Sequence, residues 1–346
     1  MKKPLLLIPI LTSLCTMASA KEFKDMTFVA GHESLQHWLL PPVPEPDNNE
    51  ITPERAELGK KLFFDPRLSG DKNMSCATCH NPSLGWSDGL AKSKGHKGMT
   101  LPRATPTIVN SGYNTIQMWD GRKKDLEDQA IGPMEAREEM HTDIPALLAF
   151  LNDNEGYSAL FEEAYPGEGI TTDTLTKALA TFERTVVSNS SPFDKWVQGD
   201  ASAMTEQQVR GFQLFMDPEK GNCSVCHSAP NFTDDGFHNL GLAAFGKENP
   251  DLGRYNERPL RLMKGAFKTP TLRDVELTAP YFHDGSAEDL IAVMQHYVKG
   301  GEVKTNLSPN FKPADLDDQE VQDLVAFMQA LTSPVDSFDV PVLPLN

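Results

Sequence analysis

Two five-residue stretches carry the most specific chemistry in the chain. They read Cys76-Ala77-Thr78-Cys79-His80 and Cys223-Ser224-Val225-Cys226-His227. C-x-x-C-H is the attachment signature of c-type haem. The two thiols form thioethers to the porphyrin, and the short turn places the imidazole beneath the iron as proximal ligand. The rival readings are a zinc site and a thioredoxin-like redox pair. A zinc site leaves the adjacent histidine unexplained, and no βαβ pattern frames a redox pair. The chain has one further cysteine, Cys15. It lies in an apolar run from Pro4 to Leu14 and beyond, behind Lys2 and Lys3 and ahead of Ala18-Ser19-Ala20. That pattern reads as a cleavable secretory signal over residues 1–20, not a membrane span. Leu14 is a poor neighbour for a lipoprotein cysteine at position 15. All four cysteines of the exported product therefore belong to the two motifs.

The elements that must position these motifs repeat. Gly59–Pro66 matches Gly211–Pro218, and a haem motif follows each. Thr105-Pro106-Thr107 matches Thr269-Pro270-Thr271, and Trp119-Asp120-Gly121 matches His283-Asp284-Gly285 at the same offset of 164 residues. An internal duplication is implied, one haem per half. The expected division is residues 21–190 and 191–346, with the polar segment 188–203 as the boundary. The fold class is mostly α. Thr52-Pro53 signals a helix start, and Thr205 with Gln208 forms a capping box. Leu175, Leu179, Phe182 and Val186 recur at helical spacing, as do Val321, Leu324, Val325, Met328 and Leu331. These stripes read as core. Gly- and Pro-rich stretches near each motif read as loops wrapping the porphyrin. Residues 21–50 read as an extended arm, and Gly246–Arg254 as a polar loop without legible chemistry.

The chain has 346 residues, of which 32 are Lys or Arg and 49 Asp or Glu, for a formal charge of −17. Loss of Lys2 and Lys3 with the leader takes it to −19. Nucleic-acid phosphates would be repelled. A cationic protein partner fits better, because opposite charges speed encounter; simple solubility accounts for the charge equally well. The length suits two domains, and 39% hydrophobic residues are enough to fill their cores.

The chain resembles the bacterial di-haem cytochrome c peroxidases and their MauG-like relatives over nearly all of its exported length. The resemblance rests on CATCH, the GHKG loop, TPTIVN, MWDGR, DQAIGP ahead of Glu139-Met140, CSVCH and LTAPYFHDG. It implies two cytochrome-c-like haem domains, with His80 and His227 as proximal iron ligands. The N-terminal haem would react with peroxide and the C-terminal haem would handle electrons. Glu139 falls on the family's distal acid–base glutamate and Gln129 on its distal glutamine, with Glu138 and Glu135 as fallbacks. Trp119 falls on the tryptophan between the haems, a plausible electron relay. His96 falls on the loop histidine that caps the peroxide haem of the reductively activated peroxidases. Tyr297 falls where those peroxidases have a methionine ligand and the MauG-like enzymes a tyrosine; Met294, three residues earlier, is the alternative. His96 and Tyr297 thus point to opposite branches. Calcium is implied through the carbonyls of Thr278 and Pro280, but Ala104 stands where the family has an asparagine ligand. His283 is read as a propionate contact, a proton-delivery group or a structural residue. His296 is a weaker ligand candidate, and His238 and His141 are given no role.

The first functional expectation is periplasmic reduction of hydrogen peroxide to water. Electrons would come from a small donor, a c-type cytochrome or a cupredoxin, enter at the His227 haem and pass Trp119. The second is a MauG-like oxidase that uses peroxide, through a high-valent di-haem state, to oxidise Trp or Tyr side chains of a partner protein. A plain electron-transfer cytochrome is the third, and Gln129 with Glu139 argues against it. No membrane span is expected in the exported chain, and the resemblance is to a family that often forms homodimers.

Overall fold

The computed structural model describes residues 23–334 and 338–345; the expected leader, with Cys15, lies outside them. Thr52 caps the first long helix, α1 (Pro53–Phe64), accepting the Arg55 N–H at 3.3 Å with Pro53 in the first turn. A single turn, α2 (Cys76–Cys79), carries the first haem motif. There follow α3 (Leu126–Glu135), α4 (Ile144–Asp153), α5 (Glu155–Ala164) and α6 (Thr172–Thr185). The second half contributes α7 (Pro192–Val197), α8 (Glu206–Met216), α9 (Leu290–Lys299) and α10 (Asp318–Gln329). Thr205 and Gln208 form the expected capping box at the start of α8. Between α8 and α9 the chain is loop and 3-10 turn, with two short antiparallel strands, β1 (Phe237–His238) and β2 (Phe267–Lys268). Among the described residues no helix is long and apolar enough to cross a membrane.

Part of the duplication recurs in backbone detail. Helix α9 repeats α3 at the 164-residue offset, each capped by an aspartate, Asp125 or Asp289. Gln117 bridges Lys123 as Tyr281 bridges Ala287. In each half two helices cross at a glycine. A Cβ on Gly59 of α1 would sit 1.9 Å from the Ala178 carbonyl of α6, and one on Gly211 of α8 would sit 2.0 Å from the Asp323 carbonyl of α10. Only the missing side chain lets these backbones touch. The two sequence stripes face the two cores, Leu175, Leu179 and Phe182 in the first and Val321, Leu324 and Met328 in the second.

One expectation is corrected. Residues 21–50 are not simply extended: Glu33–Trp38 forms a 3-10 turn whose Leu35 and Trp38 are buried in the second core. Segment 188–203 lies partly in the second core, which Phe193 and Trp196 enter. Ser191 and Asp194 cap α7, and Asp194 pairs with buried Arg273 at 2.9 Å. At the far end, Phe338 packs on the first core. The termini therefore cross, each half receiving an end of the chain from the other.

Candidate functional site: two haem cavities joined at a tryptophan

Each haem motif opens onto a cavity. His80, Cys76 and Cys79 line one of about 920 Å³, and His227, Cys223 and Cys226 line one of about 490 Å³. No disulfide joins these thiols. The His80 Nδ1–H is 3.1 Å from the Trp86 carbonyl, and the His227 Nδ1–H is 3.0 Å from that of Phe232. A backbone acceptor at Nδ1 fixes the tautomer and leaves Nε2 free for a metal. Burial lowers both imidazole pKa values, which favours the neutral, ligating form. The thiols, the aimed imidazoles and the cavity sizes fit two covalent haems. Cys226, Asp234 and His238 also bring ligand atoms within 4.8 Å of one another. That thiol belongs to the haem motif, and His238 is accounted for by its 2.9 Å pair with Asp234.

In the N-terminal cavity the structure brings together His80, Gln129, Glu139 and Trp119. Gln129 lies on α3, and Glu139 on the turn that follows it. Burial raises the Glu139 carboxyl above its ordinary range, against the pull of Arg122, and Glu138 adds to the rise. The fallbacks Glu135 and Glu138 are exposed and do not line the cavity. Pro133 does line it. At the repeat offset Pro133 corresponds to Tyr297, which lines the C-terminal cavity. The same helical position thus offers a non-ligating ring to one cavity and a phenol to the other. Burial pushes the Tyr297 phenol up, with the Cys226 and Cys223 thiols adding to it. Met294 does not line the cavity and is packed in the second core. His296 points elsewhere: its Nε2 is 2.9 Å from the Leu240 carbonyl and its Nδ1 2.9 Å from Glu302.

His96 is buried on a single 3-10 turn, His96–Gly98. Its ring lies 4.7 Å from that of His141 and 3.7 Å from Asp71, and it is not among the cavity's lining residues. The cause is the docking of its loop. The His96 N–H donates to the Glu138 carbonyl at 2.9 Å, and a Cβ on Gly95 would meet that same carbonyl at 1.9 Å. The loop is thereby fastened to the turn that carries Glu139.

Trp119 lines both cavities. Its indole N–H donates to the Ala104 carbonyl at 2.9 Å, and its own carbonyl accepts the Lys268 N–H at 2.8 Å. Both halves therefore hold it. His283 lies 6.5 Å from Trp119 and stacks on Phe267 at 3.4 Å; burial lowers it to about 4, so it is a neutral packed imidazole. The third calcium ligand implied by resemblance is missing. Ala104 adds no side-chain oxygen and its carbonyl already serves Trp119, so Thr278 and Pro280 stand without it, and the residues present do not fit that ion.

Two features were not legible in sequence. The loop read as featureless supplies Asp251, which lines both cavities and clasps Arg103 at 2.7 and 3.0 Å, while Arg103 also reaches Asp120 at 2.7 Å. Glu183 of α6 lines the N-terminal cavity and is 6% exposed. Its neighbour Arg184 is taken by Glu127 in a two-pronged pair at 2.7 and 2.8 Å.

Comparison with known proteins agrees with this geometry. Residues 53–202 match the family model described as di-haem cytochrome c peroxidase, and residues 208–332 match that of cytochrome c. The chain is 46% identical over 305 residues to the methylamine utilization protein MauG of Methylorubrum extorquens, covering 87% of this chain and 85% of that one. It is 35% identical over 337 residues to the cytochrome c551 peroxidase of Nitrosomonas europaea, covering 96% and 94%. A crystal structure of a MauG-like protein associated with microbial copper homeostasis superposes with a TM-score of 0.80 at 30% identity, covering 85% and 94%. The cavities, the aimed histidines and these likenesses converge: the chain is a mostly α, two-domain oxidoreductase that belongs to the di-haem cytochrome c peroxidase and MauG family.

Proposed function

We propose that this protein is a periplasmic di-haem oxidase of the MauG type, using hydrogen peroxide to oxidise Trp or Tyr side chains of a partner protein. The observation that carries this reading is Tyr297 in the C-terminal cavity with Met294 withdrawn into the core. A phenol held in a dry site ionises readily only where a cation takes the place of its proton, and a ferric haem iron would be such a cation. Phenolate ligation favours higher iron oxidation states, whereas a thioether favours Fe(II) and suits an electron-entry site. The docked position of His96 supports the same reading, because the N-terminal cavity then needs no prior reduction to open. The two markers that diverge in sequence thereby converge, and the greater identity to MauG than to the cytochrome c551 peroxidase agrees with them. The order of the two sequence-based expectations reverses.

When bound, the two haems supply the iron that reacts with peroxide and hold the oxidising equivalents. The chain's own residues do the rest. Glu139, half-buried with a raised pKa, is suited to take a proton from peroxide and return it. Gln129 offers an amide to orient the oxidant. Trp119, shared by both cavities, is the route between them. Tyr297 lines the C-terminal cavity, and its phenol would hold the iron there.

Absorption and EPR spectra of the oxidised holoprotein test the assignment. Tyr297→Phe should change the ligand signature of the C-terminal haem, and Met294→Leu should leave it unchanged. A low-spin His/Met signal abolished by Met294→Leu would instead make this a reductively activated peroxidase fed by a small periplasmic donor.

A further inference from the structure

The two proximal histidines share an unusual support. The carbonyls that accept their Nδ1–H groups belong to Trp86 and Phe232, and both residues lie in the left-handed region, with φ of 58° and 54°. Bulky side chains rarely adopt that conformation, so surrounding packing must hold it. In each half that packing includes an aromatic ring delivered by a terminus crossing from the other half. Phe338, in the C-terminal tail, meets the Trp86 ring edge-on at 5.1 Å and stacks on Phe64 at 5.1 Å and 22°. Lys60 caps its outer face at 4.6 Å. Trp38, in the N-terminal arm, lies 4.6 Å from the Phe232 ring and is fully buried.

We propose that the crossed termini are positioning devices for the haems: the C-terminal tail, through Phe338 and Trp86, sets the His80 ligand, and the N-terminal arm, through Trp38 and Phe232, sets the His227 ligand. The tail is fastened along its length for this purpose. Lys61 Nζ donates to the Val342 carbonyl at 3.0 Å, Arg67 to that of Pro344 at 3.0 Å, and Asn154 to that of Leu345 at 2.9 Å. All three donors belong to the first half, although the tail is the end of the second. Phe338 touches no iron and no reactant. Its action is indirect: it restrains Trp86, whose carbonyl orients the His80 ring and raises its basicity by accepting a hydrogen bond from its Nδ1–H. The inference rests on covalent haem attachment and not on the choice between oxidase and peroxidase.

Phe338 is half-buried at the margin of the core, so its truncation should leave the fold standing. Resonance Raman of the reduced holoprotein and potentiometry of each haem provide the test, on Phe338→Ala, Phe338→Tyr and Trp38→Phe. Loss of restraint on Trp86 weakens the Nδ1–H bond, which lowers the iron–histidine stretching frequency and raises the reduction potential. Phe338→Ala should produce both shifts at the His80 haem and neither at the His227 haem; Phe338→Tyr should restore the native values. Trp38→Phe should move the His227 haem alone. Unchanged spectra in Phe338→Ala, or equal shifts at both haems, would overturn the proposal.

Discussion

Glu183 offers a quantitative test of the N-terminal cavity. Burial pushes its carboxyl from 4.5 up to about 8; nearby Arg184 opposes the rise and Glu127 reinforces it. A carboxyl with a folded-state pKa above its unfolded value stays protonated in the fold while the unfolded chain ionises. Between roughly pH 4.5 and 8 the folded state therefore binds more protons, and stability falls as pH rises, by up to about 1.4 kcal/mol per pH unit. Across the window this amounts to a loss on the order of 5 kcal/mol, an upper figure because buried sites relax. Glu183→Gln keeps the shape and removes the titration. Denaturant unfolding of the two holoproteins from pH 5 to pH 8 should give similar stabilities at pH 5. At pH 8 the variant should be several kcal/mol more stable. Asp274, raised by its own burial, titrates in both proteins and cancels in the difference. Parallel curves would refute the claim that Glu183 sits neutral in this cavity.

Glu139→Gln should slow the reaction with peroxide by about 10²- to 10⁴-fold in stopped-flow absorption, the usual contribution of a general acid–base, while Glu138→Gln stays within a few-fold of the native rate. Gly59→Ala should shift the urea midpoint downward by the equivalent of about 1–3 kcal/mol, the typical cost of overpacking, because the added methyl meets backbone and not a movable side chain.

The chemistry that depends on local spacing was legible from the sequence. The C-x-x-C-H turns, the repeat offset and the capping residues each encode their geometry within a few positions. The correspondence of Pro133 with Tyr297 emerges only once helices α3 and α9 are seen to match residue for residue. What escaped the sequence depends on contacts far along the chain. The direction of His96 follows from its loop docking on the Glu138 carbonyl 42 positions away. Glu183 sits between Phe182 and Arg184 in an amphipathic helix, and nothing in that local pattern marks it as buried. Only the haem cavity on that side of α6 shows it to be enclosed. The arm and the tail lack periodicity, because each is stabilised by a few anchoring aromatics, Trp38 and Phe338, and by backbone hydrogen bonds. Within segment 188–203, Ser188 bonds Asp274, Ser191 bonds Asp194, and Asp194 pairs with Arg273 inside the protein, partners that lie too far along the chain to be read from its composition.

The most direct test of the central claim is to add one equivalent of hydrogen peroxide to the fully oxidised holoprotein, with no electron donor present, and follow both haems by rapid-scan absorption and freeze-quench EPR. Prompt consumption of peroxide, with the spectra of both haems changing together and with the C-terminal response altered in Tyr297→Phe, is the predicted result. An oxidised protein that stays inert to peroxide until one haem has been reduced would contradict it.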